Sequence, residues 1–154
     1  SRKGKYNADG SVNPMPGSNI PMAALGAWIL WLGWFGFNGG SELKVSEVSS
    51  ATAVSQVFLD TNMAAAGGVI AALLISLFLS GKMDVTMAIN GAIAGLVSIT
   101  ADPLSPSGGT AVIVGAIGGA IVYFSILFLE KSGIVLMILL EQYLLTELWV
   151  SMVY

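Results

Sequence analysis

The run from Gly26 to Glu42, GAWILWLGWFGFNGGSE, sets three tryptophans and two phenylalanines among glycines in an apolar stretch. Two kinds of chemistry are open to it. An aromatic face such as that of Trp34 or Phe37 attracts a cation, by about 0.5–2 kcal/mol and by more when the cation is desolvated. A hydroxyl such as that of Ser41 supplies a hydrogen-bond acceptor. Alternatively, tryptophans mark the level at which a helix leaves a membrane; Trp28, Tyr6 and Trp149 fit that use better. Little else in the chain can do chemistry. It holds no cysteine and no histidine, which removes disulfides, thiolate metal sites and the commonest general base. Asp60 is the one carboxylate within an apolar run, near its end. A lone carboxylate gives no acid–base pair, and a place in water near the start of its helix suits its charge. The expectation is a protein that is not an enzyme and needs no cofactor or metal.

The surrounding elements follow from composition. Of 154 residues, 55% are hydrophobic and 10% charged, with 19 glycines; an ordinary soluble domain is about 25% charged. A spanning helix needs roughly 20 apolar residues. Four runs approach or meet that length, at about 21–40, 57–80, 85–101 and 110–129, the third a little short. So many buried helices in a soluble chain of this size would leave too little polar surface to cover a core. The fold class is therefore an all-α membrane protein of four transmembrane helices. Residues 1–20 read as a polar loop, and no signal-peptide pattern follows Ser1. The net charge of −3 and the lack of a basic stripe give no sign of a nucleic-acid partner.

The basic residues orient these spans. Arg2, Lys3 and Lys5 precede the first, Lys82 lies between the second and third, and Lys131 follows the fourth. With four spans all of these fall on one side, leaving Lys44 on the other with Glu42, Glu47, Asp60 and Asp102. The positive-inside rule makes the first side cytoplasmic, with both ends there. Gly91 and Gly95 form a GxxxG pair in the third span, and Gly115 and Gly119 form one in the fourth. Such pairs let helix backbones approach closely in lipid. Packing and a substrate role both remain open for them and for Gly67, Gly68 and Gly118. Asn90 needs a partner for its amide and is expected to face another helix, with a pore-facing place as the alternative.

The stretch Leu30-Trp31-Leu32-Gly33-Trp34-Phe35-Gly36-Phe37-Asn38-Gly39-Gly40-Ser41 resembles the motif L-W-x-G-W-F-G-F-N-x-G-S of the ammonium transporter (Amt/Rh-type) family. The resemblance continues through NIPMAALGA, TNMAAAGGVIAALL, GKMDVTMAINGAIAGLVSITA and AIVYFSILFLEKSGI, and covers nearly all of residues 12–134. It implies a trimeric, channel-like transporter of eleven helices, one narrow pore per subunit, the first ten helices forming two inverted repeats. Two-repeat architectures have precedent among transporters. The chain then corresponds to the start of the second repeat. On this resemblance Phe37 closes the outer mouth of the pore as one of a stacked pair, Trp34 lines the path below it, and Ser41 contributes to the outer ammonium recruitment site. Ammonium and ammonia are the implied substrates, lipid the surroundings, and a homotrimer the full-length assembly in the cell membrane.

Three parts of the family pattern are missing: the first five helices, the partner of Phe37, and both pore histidines. Where the family reads close to D-D-P-V-G-A-I-S-x-H-G-V-x-G-I-x-G, this chain has the apolar tail at 135–154. Back-translated and read from the third base of each codon, Met137-Ile138 must give Asp, and Trp149-Val150 and Met152-Val153 must each give Gly. These fall at the family's spacing, and the remaining codons permit the rest, so the tail reads as the family segment in a shifted frame. The fragment is expected to be incompetent for transport alone. The alternative function is a small four-span structural or interaction protein.

Overall fold

The computed structural model describes residues 4, 7, 9, 11, 13 and 17–132. It contains four helices, α1 (Ile20–Gly40), α2 (Val48–Ser80), α3 (Val85–Ile99) and α4 (Gly108–Ser132), and no strand among the described residues. The tail at 135–154 and Arg2, Lys3, Lys5, Tyr6 and Trp149 lie outside those residues. Contacts divide the chain into two units, Ser18–Tyr123 and Ser1–Gly17 with Phe124–Tyr154. In the latter, Ser11 donates its backbone N–H and its hydroxyl to Asp9, and Asn7 and Asn13 join side chains across the turn. The hydroxyl bond, then the backbone bond, hold the Asp9 carboxyl below its ordinary value.

Local chemistry sets the helix limits. The Asn19 side chain accepts from the Met22 N–H at 3.0 Å and caps α1, with Pro21 inside the first turn, where its missing N–H costs nothing. α2 begins nine residues before the apolar run at 57, through VSSATAVSQ. Thr52 and Ser55 there donate to the carbonyls of Val48 and Ala51, each one turn back, so their hydroxyls are satisfied inside the helix. α2 ends at Gly81, whose φ of 68° suits a residue without a side chain. The buried Ser76 then ties the turn. Its hydroxyl donates to the Lys82 carbonyl at 2.8 Å and accepts from the Asp84 N–H at 3.2 Å. Asp84 caps α3, accepting from the N–H and hydroxyl of Thr86 at 2.7 and 2.6 Å. α1, α2 and α4 are long and apolar enough to cross a membrane. α3, with 15 residues, extends about 22 Å, short of a hydrocarbon core of about 30 Å.

The Ser18–Tyr123 unit is built around α2. The carbonyl oxygens of Ala64 and Gly68, one turn apart, each receive one glycine from α3 and one from α4. A Cβ at Gly95 or Gly115 would lie 2.3 or 1.8 Å from the Ala64 oxygen, and one at Gly91 or Gly119 would lie 2.5 or 2.4 Å from the Gly68 oxygen. No side chain fits at such distances. The register of these pairs runs α3 antiparallel and α4 parallel to α2. The two GxxxG pairs thus converge on one small-residue face, Ala64, Ala65, Gly67 and Gly68, all buried. Little apolar volume fills this contact. Close backbone approach replaces it, as helix association in lipid favours.

Candidate functional site

α1 lies on this bundle by one face, with Ala27, Asn38 and Gly39 buried. Two polar contacts fix it. The Trp34 indole N–H donates to the Thr100 hydroxyl at the end of α3 at 2.8 Å, and that hydroxyl donates in turn to the Leu96 carbonyl at 2.7 Å. Asn38 donates its amide N–H to the Thr61 hydroxyl of α2 at 3.0 Å. Phe35 packs on Phe58 with ring centroids 5.4 Å apart, and Gly39 admits the Phe58 ring edge against the α1 backbone.

Trp34 is half-buried and Phe37 is 64% exposed. Their ring centroids lie 6.2 Å apart at an interplanar angle of 60°. With Ile29, Leu30 and Gly33 they line an open apolar groove of about 340 Å³. Ser41, one turn beyond Phe37, donates its hydroxyl to the Phe37 carbonyl at 2.8 Å. That bond uses the one hydroxyl proton, so the exposed oxygen presents lone pairs outward and acts as an acceptor. Gly26, Gly33, Gly36 and Gly40 lie on α1 with nothing within 4 Å of where a Cβ would stand. Every glycine of α3, and Gly115, Gly118 and Gly119 of α4, is instead filled by a neighbour.

The structure therefore gathers Trp34, Phe37 and Ser41 at the C-terminal end of α1, and puts Gly91, Gly95, Gly115 and Gly119 in the α2–α3–α4 contact. Trp28, 71% exposed, belongs to neither. Asn90 differs from expectation: its amide donates to the Thr86 carbonyl in its own helix at 3.0 Å, because the first turn of α3 leaves that carbonyl in reach. Asp60 differs more. It is fully buried, because the start of α4 at Gly108 packs beside its Oδ1 and Gln56 covers its Oδ2. Nothing in the sequence marks Thr100 and Asn38 as the residues that fix α1. Thr100 sits outside the aromatic motif, and only the pairing of α1 with α3 brings it to the indole.

The profile described as Ammonium Transporter Family matches residues 1–135. The chain belongs to the ammonium transporter family. Among its relatives, Archaeoglobus fulgidus "Ammonium transporter Amt2" is 44% identical over 133 residues, 86% of this chain and 28% of that protein. "Ammonium transporter Amt2" of Methanocaldococcus jannaschii is 41% identical over 135 residues, 86% of this chain and 29% of that protein. Among solved structures, the "Sensor Amt Protein" superimposes with a TM-score of 0.77 at 40% identity, covering 83% of this chain and 30% of that one. Candida albicans Mep2 gives 0.67 at 32% identity, covering 73% and 24%. The chain thus spans under a third of the length of these relatives. Its family membership and the three long apolar helices among the described residues make it an integral membrane protein.

Proposed function

We propose that this chain is the part of an ammonium transporter that carries one wall of the pore's outer mouth, with Trp34, Phe37 and Ser41 facing the substrate path. The observation that supports this reading most is the Trp34–Phe37 ring pair with the Ser41 acceptor one turn beyond, on the face of α1 that the chain's own helices leave open. Ammonium brings a positive charge and four N–H donors. The ring faces attract the charge, and the outward lone pairs of Ser41 take an N–H. Below the rings an apolar path penalises an ion and admits neutral ammonia more readily. Thr100 holds the indole by its N–H, which fixes the ring plane that borders the path.

The open glycines of α1 support a second part of the proposal. The rest of a full-length transporter covers this face, and a homotrimer in the cell membrane is the working assembly, with both ends of this segment cytoplasmic. Lys82, between α2 and α3, lies on the cytoplasmic side in this arrangement. The 154-residue chain alone then lacks the opposing wall and does not conduct. Grafting residues 18–132 in place of the matching segment of Archaeoglobus fulgidus Amt2 tests the proposal. We expect the graft to move ammonium across vesicle membranes, and Phe37→Ala and Ser41→Ala in it to change the dependence on ammonium concentration. A graft that assembles in the membrane yet moves no ammonium overturns the reading.

A further inference from the structure

The last turn of α1 departs from the helix it ends. The N–H groups of Ser41, Glu42 and Leu43 donate to the carbonyls of Asn38, Gly39 and Gly40, three residues back, at 3.3, 3.2 and 3.1 Å. A continuing α-helix sends each N–H four residues back, which would take the Ser41 N–H to the Phe37 carbonyl. That carbonyl takes the Ser41 hydroxyl instead, at 2.8 Å. The tight turn closes at Leu43, whose φ of 57° is left-handed; among the described residues no other side-chain-bearing residue has a positive φ. A left-handed leucine is strained. Strain of this kind persists where the surrounding structure enforces it, and it gathers at functional sites. Packing of the side chain does not account for it, since Leu43 is 92% exposed. The backbone on either side does. Gly39 is held against the Phe58 ring of α2, Lys44 pairs with Glu47 at the cap of α2, and the chain reverses between these two points.

We propose that Leu43 is a positioning residue for Ser41, acting through its backbone. Its left-handed conformation closes α1 in the tight turn that withdraws the Ser41 N–H from the Phe37 carbonyl and leaves that carbonyl to the Ser41 hydroxyl. The hydroxyl proton is thereby committed before a substrate arrives. Ser41 meets ammonium with lone pairs only, and no hydroxyl rotation has to be frozen on binding. With a right-handed backbone at 43, α1 runs on, the Ser41 N–H returns to Phe37 and the hydroxyl is free to turn. The exposed Leu43 side chain touches neither the rings nor the substrate in this role. What matters is the hand of the backbone that carries it.

This inference rests on the reading of Ser41 as an ammonium acceptor, so two measurements separate them. Glycine adopts a left-handed backbone without strain, whereas a β-branched residue resists it. Leu43→Gly is therefore expected to keep the turn and Leu43→Val to release it. A role for the side chain predicts the reverse, since valine stays apolar and glycine removes the group. Phe37-Asn38 is the one Phe-Asn pair in the chain, so heavy-isotope labels on phenylalanine carbonyls and asparagine nitrogens isolate the Phe37 carbonyl in solid-state NMR of the full chain in lipid nanodiscs. Ser41→Ala marks where that resonance lies without the hydroxyl bond. We expect Leu43→Val to move it toward that position through a population shift on the order of tenfold, and Leu43→Gly to leave it in place. A resonance unmoved by valine, or moved by glycine, overturns the inference whatever the transport result; the glycine arm decides alone if the valine variant does not fold. In the Archaeoglobus fulgidus graft, Leu43→Val is expected to raise the half-saturating ammonium concentration several-fold with the maximal rate kept, and Leu43→Gly to match the parent. An unchanged half-saturation in a Leu43→Val graft that transports overturns the role of Leu43 and leaves the transport reading standing. A graft that assembles and fails to transport counts against the transport reading, and the carbonyl resonance still decides the turn.

Discussion

At the scale of single residues, the behaviour of Trp34 depends on where its one polar atom goes. A buried indole N–H needs an acceptor, and Thr100 supplies it while passing its own proton to Leu96. Thr100→Val removes the acceptor and keeps the shape. A neutral hydrogen bond of this kind contributes about 1 kcal/mol net, so the variant graft is expected to transport several-fold more slowly, with a red or blue shift of Trp34 emission reporting the freed ring. Transport and emission both unchanged would show that the bond does not hold the indole. Ser41 shows the same logic with the sign reversed. Its proton is committed to the Phe37 carbonyl, so a cysteine there, a weak donor and weak acceptor, is expected to weaken ammonium recruitment, read as a higher half-saturation in the graft.

At the scale of elements, the α2–α3 turn and the helix contacts carry the stability. The hydroxyl of Thr86 holds the Asp84 carboxyl below its ordinary value; burial opposes it, and the backbone N–H of Thr86 adds a smaller pull in the same direction as the hydroxyl. A lowered folded-state value means the stabilisation is fully present above the unfolded value and is lost as pH falls through the folded one. Hydrogen exchange in the first turn of α3 is therefore expected to quicken only as pH falls below about 4. In Asp84→Ala it is expected to be fast at neutral pH already, with a loss of about 0.5–2 kcal/mol for the missing cap. The glycine contacts give a sharper test. Gly115→Val sets a side chain where the Ala64 carbonyl stands, so thermal unfolding in detergent is expected to drop by at least the about 1–3 kcal/mol typical of overpacking. A variant as stable as the parent would show that α4 does not approach α2 this closely.

At the scale of the whole molecule, the distribution of filled and empty glycines separates what this chain completes from what it leaves open. Gly33 and Gly36 meet nothing, so Gly33→Ala is expected to leave the isolated chain's stability within about 0.5 kcal/mol. On the proposed arrangement, in which further helices cover α1 and the full-length graft is a trimer, the same change is expected to impair assembly, read by trimer recovery on size-exclusion chromatography. Equal recovery of trimer would mean that this face of α1 stays uncovered. The tail has its own check, since the family match stops at residue 135. The gene's codons from 136 onward either permit the shifted-frame segment, including a histidine codon across Leu145-Thr146, or exclude it.

The sequence by itself determined the solvent, the four helices of the described residues and the family. Those depend on composition, on apolar run length and on the ordered motif around Trp34 and Phe37, all of which are properties of the chain read in order. It also located the small residues that meet, since glycine four residues from glycine is meaningful without knowing the partner. Only the tertiary structure decided which partners they have: two α2 carbonyls, each receiving one glycine from α3 and one from α4. It also paired Trp34 with Thr100 across 66 residues and enclosed Asp60, which apolar run length had left near water. Hydropathy sees the side chains of 48–56 as polar and ends the span there. The helix nevertheless continues with those hydroxyls satisfied by carbonyls of their own helix, and it is the start of α4 beside Asp60 that encloses the carboxylate.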